Sequence, residues 1–298
     1  MRLIIGRPML LVLSIAPVIT VIASLLFVPH YESSRYPIQL EPSAIFTQQN
    51  LRDNYEPYGY VAHALGGIDG QTYTNSREAF LLNYDKGFRL FEVDLVLLKD
   101  GSVFCAHDGN EWKYGLDKSF KKTTADELAG RLCLNKYTPL TGSDLLGLMY
   151  QHEDAYFILN TKGAHYEILR TLVSEGRERH PSVLDRMIPL ITGPGHLYEA
   201  AKIYPFKDYM LNTFVCRCTP DLSWFWHMSE SEIIEFVKDS HIRVVMTRWN
   251  KQYTPEFKQQ MNDAGAVVYV HSLNDADRIS LFQNEGVGVF SDGYYPET

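Results

Sequence analysis

From residue 57 to the C-terminus, short apolar runs alternate with longer amphipathic stretches. Nine runs read as strands: YVAHAL (60–65), RLFEVDLVLL (89–98), VFCAH (103–107), YFILN (156–160), MIPLI (187–191), YMLNTF (209–214), RVVMT (243–247), VVYVH (267–271) and VGVFS (287–291). Helix-start signals stand between most of them: Thr74-Asn75-Ser76-Arg77-Glu78, Thr124 before ADEL, Ser229 before ESEIIEF, and Thr254-Pro255-Glu256 before FKQQM. Gly87, Gly265 and Gly286 fall where such helices should stop. Strands alternating with helices over ~240 residues predict a parallel α/β fold. One of the nine runs is the return arm of a hairpin, and the eight that remain predict a closed β/α (TIM-type) barrel over residues 57–298. A doubly wound open sheet is the alternative, but YVAHALGGIDG lacks the glycine spacing of a dinucleotide fingerprint.

The first thirty residues break this pattern. MRLIIGRP leads into MLLVLSIAPVITVIASLLFVP, about twenty residues without a charge, long enough to span a bilayer as one transmembrane helix. Arg2 and Arg7 ahead of the run favour a cytoplasmic N-terminus, with the remainder of the chain outside the cytoplasm. A cleaved signal peptide, giving a secreted protein, is the rival reading. Its apolar core is usually shorter, and no A-x-A-like site is clear near LLFVPH, which favours the anchor. Residues 31–56 are polar and aromatic with scattered prolines, and read as a stalk or wrapping segment.

Composition narrows the function classes. The chain has 298 residues, 45% hydrophobic and 21% charged, which suits one large globular domain or two small ones. A net charge of -8 offers no basic field for nucleic acid, so that partner is set aside. An extracytoplasmic domain permits disulfides, and Cys105, Cys133, Cys216 and Cys218 allow three full pairings that spacing does not decide. Cys216-Arg-Cys218 has no second Cys/His pair at zinc-like spacing.

Candidate chemistry concentrates in FEVDLVLLKDGSVFCAHDG, residues 91–109, where Asp100-Gly101 is a hairpin signal. If these two residues are the whole turn, Lys99 pairs with Ser102 and Asp94 falls opposite His107. Glu92 then shares their face, and Phe91, Val93, Leu95, Phe104 and Ala106 share the other. Two adjacent carboxylates repel one another unless a cation lies between them, and hard oxygen donors suit Mg²⁺ or Ca²⁺. On the hairpin alone, a surface salt-bridge cluster fits equally well. His63 ends the first strand, and Asn160 and Lys162 end the fourth. Polar groups thus gather at the same ends of three successive elements, the catalytic rim of a barrel. DLSWFWHM (221–228) reads as a rim loop whose Trp224, Phe225 and Trp226 either touch lipid or substrate or pack on the barrel. Trp249 also follows a strand end and is a candidate pocket wall.

In this order the residues resemble the glycerophosphodiester phosphodiesterase family, within the wider group of barrel phosphodiesterases that includes phosphatidylinositol-specific phospholipase C. The family's strand-end His, N-T-x-x-A-F, E-x-D, K-D-G and H-D read here as AHALGG, TNSREAF, FEVDL, LKDGS and AHDG. VVYVHSLNDADRISLFQNEGVGVFSDGYYPE resembles the family's closing segment, so the likeness spans about residues 58–297. It implies a metal-dependent phosphoric diester hydrolase in which Glu92 and Asp94 hold a divalent cation, with Asn160 as a neutral oxygen ligand. It also implies His63 and His107 as general base and acid, and Lys162 neutralising phosphate or orienting Asn160. A neighbouring substrate hydroxyl would attack, giving a cyclic phosphate. Expected substrates are a free glycerophosphodiester, a phospholipid or a phosphodiester-linked surface polymer.

Three positions depart from the family pattern. His-Arg-Gly is His63-Ala64-Leu65, which removes an arginine expected at the phosphate. E-x-K is Asn160-Thr161-Lys162, which removes a third acidic ligand. The aromatic of W-T-x-N is His271, which becomes a candidate substrate contact. The alternative is therefore a non-catalytic or cyclising barrel that binds phosphorylated lipid or glycan at the cell surface. Both histidines and the E-x-D count for catalysis; the lost arginine and glutamate count against it. The anchor reading has its own test: full-length protein should fractionate with membranes, and deletion of residues 1–30 should release a soluble domain. Full-length protein in the soluble fraction would contradict the anchor and point to cleavage.

Overall fold

The computed structural model describes residues 31–38, 40–53, 55–215 and 227–293. The N-terminal apolar run, Cys216, Cys218 and the Trp224-Phe225-Trp226 stretch lie outside the described residues. No helix among the described residues is long and apolar enough to cross a membrane.

Each of the nine apolar runs forms a strand: β1 (Tyr60–Ala62), β2 (Leu90–Leu97), β3 (Val103–Cys105), β4 (Tyr156–Thr161), β5 (Met187–Ile191), β6 (Met210–Asn212), β7 (Val244–Arg248), β8 (Val267–His271) and β9 (Gly288–Ser291). All but β3 are parallel, in the order β1-β9-β8-β7-β6-β5-β4-β2, and β2 pairs back onto β1 through Val61↔Leu90 and Ala62↔Phe91. That last pairing closes the barrel and removes the open-sheet alternative. Paired residues share a face, so one register runs round the interior. Glu92 lies level with Ile158, Asp94 with Asn160, Leu190 with Met210, Asn212 with Met246, and Arg248 with His271. Along the strands the inward positions change from apolar to polar toward the C-terminal ends. Lower down, Tyr269 fills the interior beside Gly288, where a Cβ would run into its ring.

The helices start where their caps predict. Ser76 accepts from the Ala79 N–H, Thr254 from the Phe257 N–H, and Thr124–Glu127 and Ser229–Glu232 form reciprocal capping boxes. The helices capped by Ser76, Ser229 and Thr254 join one core that runs through and around the barrel, while Leu128 of the Thr124-capped helix joins a smaller one.

The hairpin differs from expectation by one residue. Leu97 pairs with Val103 and Leu95 with Cys105, so the loop holds three residues, Lys99 to Gly101. The Leu98 N–H donates to Ser102 O, and Gly101 takes φ 84°, the form a three-residue hairpin favours. Asp100 fixes the loop by accepting from the backbone N–H groups of Ser102 and Ala125. A one-residue shift turns every β3 side chain to the other face. Phe104 and Ala106 therefore pack with Val96 and Leu98, and with Tyr114, Phe120, Leu128, Cys133 and Tyr137, in a separate annex core. They do not share a face with Phe91, Val93 and Leu95. Cys105 and Cys133 are buried free thiols.

The described residues between 31 and 58 pack on the barrel and are not a free stalk. Tyr31 packs edge-on against Phe236, and the Leu40 N–H donates to Ser240 O. Phe46 meets Tyr269, and the Tyr55 hydroxyl donates to Val287 O. Ser240 and Val287 precede β7 and β9, so the segment crosses the N-terminal mouth. The C-terminal mouth is left for the polar residues.

Candidate active site

A cavity of about 200 Å³ opens at the C-terminal ends of the strands. Its wall brings together His63, Glu92, Asp94, His107, Asn160, Lys162 and His271. Trp249 is not part of it: its ring packs on the core with the Arg278 guanidinium 4.5 Å from its centroid. A larger groove of about 560 Å³ lies on the outer surface, but Arg170, Arg177, Glu178, Glu199 and Lys202 line it, with no convergent buried polar groups.

Glu92 and Asp94 are 1% and 0% exposed. Such a pair is costly unless N–H donors surround it. Four elements supply them. From the β1 turn, the Ala64 N–H donates to Glu92 Oε2 at 2.8 Å. From β4, Asn160 Nδ2 donates to Glu92 Oε1 at 2.7 Å and Asp94 Oδ1 at 3.2 Å. Just beyond β4, Lys162 Nζ lies 2.8 Å from Asp94 Oδ1. Ahead of the Ser76-capped helix, Asn75 Nδ2 donates to Asp94 Oδ2 at 3.1 Å while its Oδ1 accepts from the Asp94 N–H at 3.0 Å. The two acids are not equivalent. Burial, then the charge of Asp94, pushes the Glu92 carboxyl up. Burial acts on Asp94 as well, but the ammonium of Lys162 outweighs it with help from the histidines, and Asp94 is held low.

The Ala64 contact requires an unusual backbone. Ala64 and Leu65 sit at φ 51° and 65°, in the left-handed region that costs L-residues about 1–2 kcal/mol each. The turn ends β1 abruptly, aims an N–H at Glu92 and sets His63 on the rim. Strain of this kind persists only where the surroundings enforce it. Here the buried carboxylate and the burial of Leu65 (0% exposed) do so.

His63 is 4% exposed. Its Nδ1–H donates to Asp292 Oδ1 at 2.9 Å, and its Nε2 lies 3.2 Å from His271 Nε2. Burial opposes charging of His63, but the bond to Asp292 and the charges of Glu92, Asp94 and Asp292 prevail and raise its pKa. Burial, and then the charge of His63, depress His271 to about 3, so it stays neutral. The ring of Tyr73 stands between the histidines, edge-on to His63 at 4.6 Å and to His107 at 5.4 Å between centroids. Its hydroxyl is pushed up to about 12 by burial and the nearby carboxylates, and stays protonated. His107 is more open, with its side chain 35% exposed and Nδ1 2.6 Å from Asp108 O. It reaches the cavity from the residues after β3, not by facing Asp94 across the ladder.

Sequence reasoning did not select Asp292, Tyr73, Asn75 or Asn212. Asp292 stood in the closing S-D-G and Asn75 in T-N-S, where each had been read only as part of a motif. Asn212 was available from strand parity, two residues beyond Met210. As a metal centre, the site offers hard oxygen donors only. Among the described residues no three His, Cys, Asp or Glu side chains cluster at metal-binding distance. The two carboxylates fit a cation held by few protein ligands; Asn160 turns its Nδ2 toward both, and its oxygen would join as a ligand only with the amide turned over.

The Asp292 contact carries a testable consequence. A raised folded pKa means that pairing of protonated His63 stabilises the fold fully below the unfolded imidazole value of 6.5 and fades as pH rises through the folded value. Asp292→Asn should lower the His63 titration midpoint, followed by NMR of the imidazole resonances. An unchanged midpoint would remove Asp292 as its partner.

No protein-family model and no curated protein matches the chain. Solved structures do. An Oleispira antarctica phosphodiesterase in complex with the product sn-glycerol-3-phosphate superimposes with a TM-score of 0.63 at 19% identity, over 80% of this chain and 94% of that one. The glycerophosphodiester phosphodiesterase of Thermotoga maritima gives 0.58 at 19%, over 78% and 94%. That of Parabacteroides distasonis gives 0.61 at 14%, over 80% and 93%. The chain therefore has the β/α-barrel fold of the glycerophosphodiester phosphodiesterases.

Proposed function

We propose that the protein is a phosphodiesterase that cleaves a glycerophosphodiester-type bond. The observation that carries this reading is a small cavity holding three imidazoles, two buried carboxylates and one ammonium at the C-terminal rim. The likeness to phosphodiesterase structures, one with sn-glycerol-3-phosphate bound, supports the same substrate class. Lys162 offsets charge on the diester. His63 and His107 divide the roles of general base and acid. One imidazole takes the proton of a neighbouring substrate hydroxyl as its oxygen bonds to phosphorus. The other gives a proton to the departing alkoxide as the old P–O bond breaks. The products are an alcohol and a cyclic phosphate, which water opens by the same pair used in reverse. A tethered nucleophile of this kind gains from proximity. Asp292 fixes the His63 tautomer, and Tyr73 keeps the two imidazoles apart.

Glu92 and Asp94, joined by Asn160 Oδ1 once its amide turns over, would hold a divalent cation, Mg²⁺ or Ca²⁺, whose chemistry is to offset charge on a non-bridging phosphate oxygen. A non-catalytic binding barrel is the second reading. It draws on Asn160 and Lys162, which already satisfy both carboxylates. In either case the N-terminal apolar run would attach the domain to a membrane and set it outside the cytoplasm.

The test is hydrolysis of a phosphodiester panel by full-length protein in detergent, with and without EDTA. A glycerophosphodiester should be cleaved, EDTA should lower the rate, and added Mg²⁺ or Ca²⁺ should restore it. His63→Ala and His107→Ala should each lower turnover at least about 10²-fold. No turnover of any diester would favour the binding barrel, and near-normal activity in either variant would remove that histidine from the chemistry.

A further inference from the structure

The cavity wall opposite the histidine carries a polar side chain with nothing to bind. In the ring of eight parallel strands β6 stands four places from β1, so Asn212 at the end of β6 lies across the barrel from His63. It lines the cavity and is only 7% exposed. Its Oδ1 is buried and has no hydrogen-bond partner among the described residues. Buried amides are almost always paired, because an unpaired one forfeits its hydration. Asn83, Asp208 and Thr247 also carry buried unpaired oxygens, but none of them lines this cavity.

The surroundings of Asn212 define what it can bind. Met246, level with Asn212 on β7, Leu190 on β5, level with Met210, and Phe214 just beyond β6 make the cavity wall on this side apolar. An apolar notch with one amide matches a short carbon chain bearing a hydroxyl. The hydroxyl donates to the amide oxygen and accepts from the amide N–H, while the carbons meet Leu190, Met246 and Phe214. The phosphate is drawn to the other side, where Lys162 and the two histidines stand. Within its walls, a cavity of about 200 Å³ matches a phosphate with one short alcohol.

We propose that Asn212 is a specificity-determining residue that selects a hydroxylated, glycerol-type alcohol on the phosphate. This rests on the phosphodiesterase reading for its substrate class, but its test does not require turnover. Calorimetry on full-length protein in detergent would compare sn-glycerol 3-phosphate with its two deoxy analogues, propane-1,2-diol 1-phosphate and propane-1,3-diol 1-phosphate, and with inorganic phosphate. The parent should bind glycerol phosphate about 10²-fold more tightly than at least one deoxy analogue, since a site that pairs a hydroxyl rejects the molecule lacking it. In Asn212→Leu that preference should fall below about threefold while inorganic phosphate binds as before. Equal binding of all three esters by the parent, no binding of any, a preference retained in the variant, or loss of inorganic phosphate binding would each overturn the proposal. An intact binding preference with no turnover of any diester would count against the phosphodiesterase reading and leave the assignment of Asn212 standing.

Discussion

Two carboxylates buried side by side at the rim of a barrel set the terms for everything around them. Glu92 and Asp94 lie in a strand covered on both faces, where a bare charge costs several kcal/mol even after relaxation. Each of their four oxygens therefore receives a donor, and each donor comes from a different stretch of backbone or side chain. The left-handed turn after β1, the Thr74-Asn75-Ser76 approach to the first barrel helix and the polar end of β4 all serve this one requirement. Ala64 at φ 51° and the buried Asn75 both aim N–H groups at these carboxylates.

The same arrangement explains how the chain tolerates its departures from the pattern it resembles. Losing an arginine at Ala64 removes one positive charge, and having asparagine at 160 removes one negative charge. Together the two changes leave the formal charge of the site unaltered, and at both positions an uncharged group donates to the carboxylates. Ala64 contributes its backbone N–H to Glu92, and Asn160 bridges the two acids. The third departure, His271, is held neutral beside a His63 whose proton Asp292 and the carboxylates stabilise. What results is a compact constellation in which the buried imidazole is firmly oriented and the outer one, His107, stays open to solvent.

Much of this was legible in the sequence because period and punctuation are strong in a β/α barrel. All nine apolar runs became strands, and the caps at Ser76, Thr124, Ser229 and Thr254 marked helix starts. His63, Glu92, Asp94, His107, Asn160 and Lys162 came together because strand ends converge on one rim. The hairpin register was not legible. Asp100-Gly101 serves a two-residue and a three-residue loop alike, and the choice rests on the N–H of Ala125, twenty-five residues away in sequence. His107 was thus assigned to the cavity through a pairing with Asp94 that does not exist. Asp292 and Tyr73 were missed for a related reason: each acts through a contact between distant elements that no local spacing announces. Trp249 shows the converse, since a strand-end position does not decide whether a ring turns into the pocket or onto the core.

The central claim is that this cavity, and no other surface, receives the phosphate between two imidazoles. A crystal structure of the full chain grown with saturating sn-glycerol 3-phosphate tests it directly. The account predicts the phosphate within hydrogen-bond reach of Lys162 and of both His63 and His107. Phosphate bound only in the outer groove beside Arg170 and Arg177, with the barrel cavity empty, would contradict it.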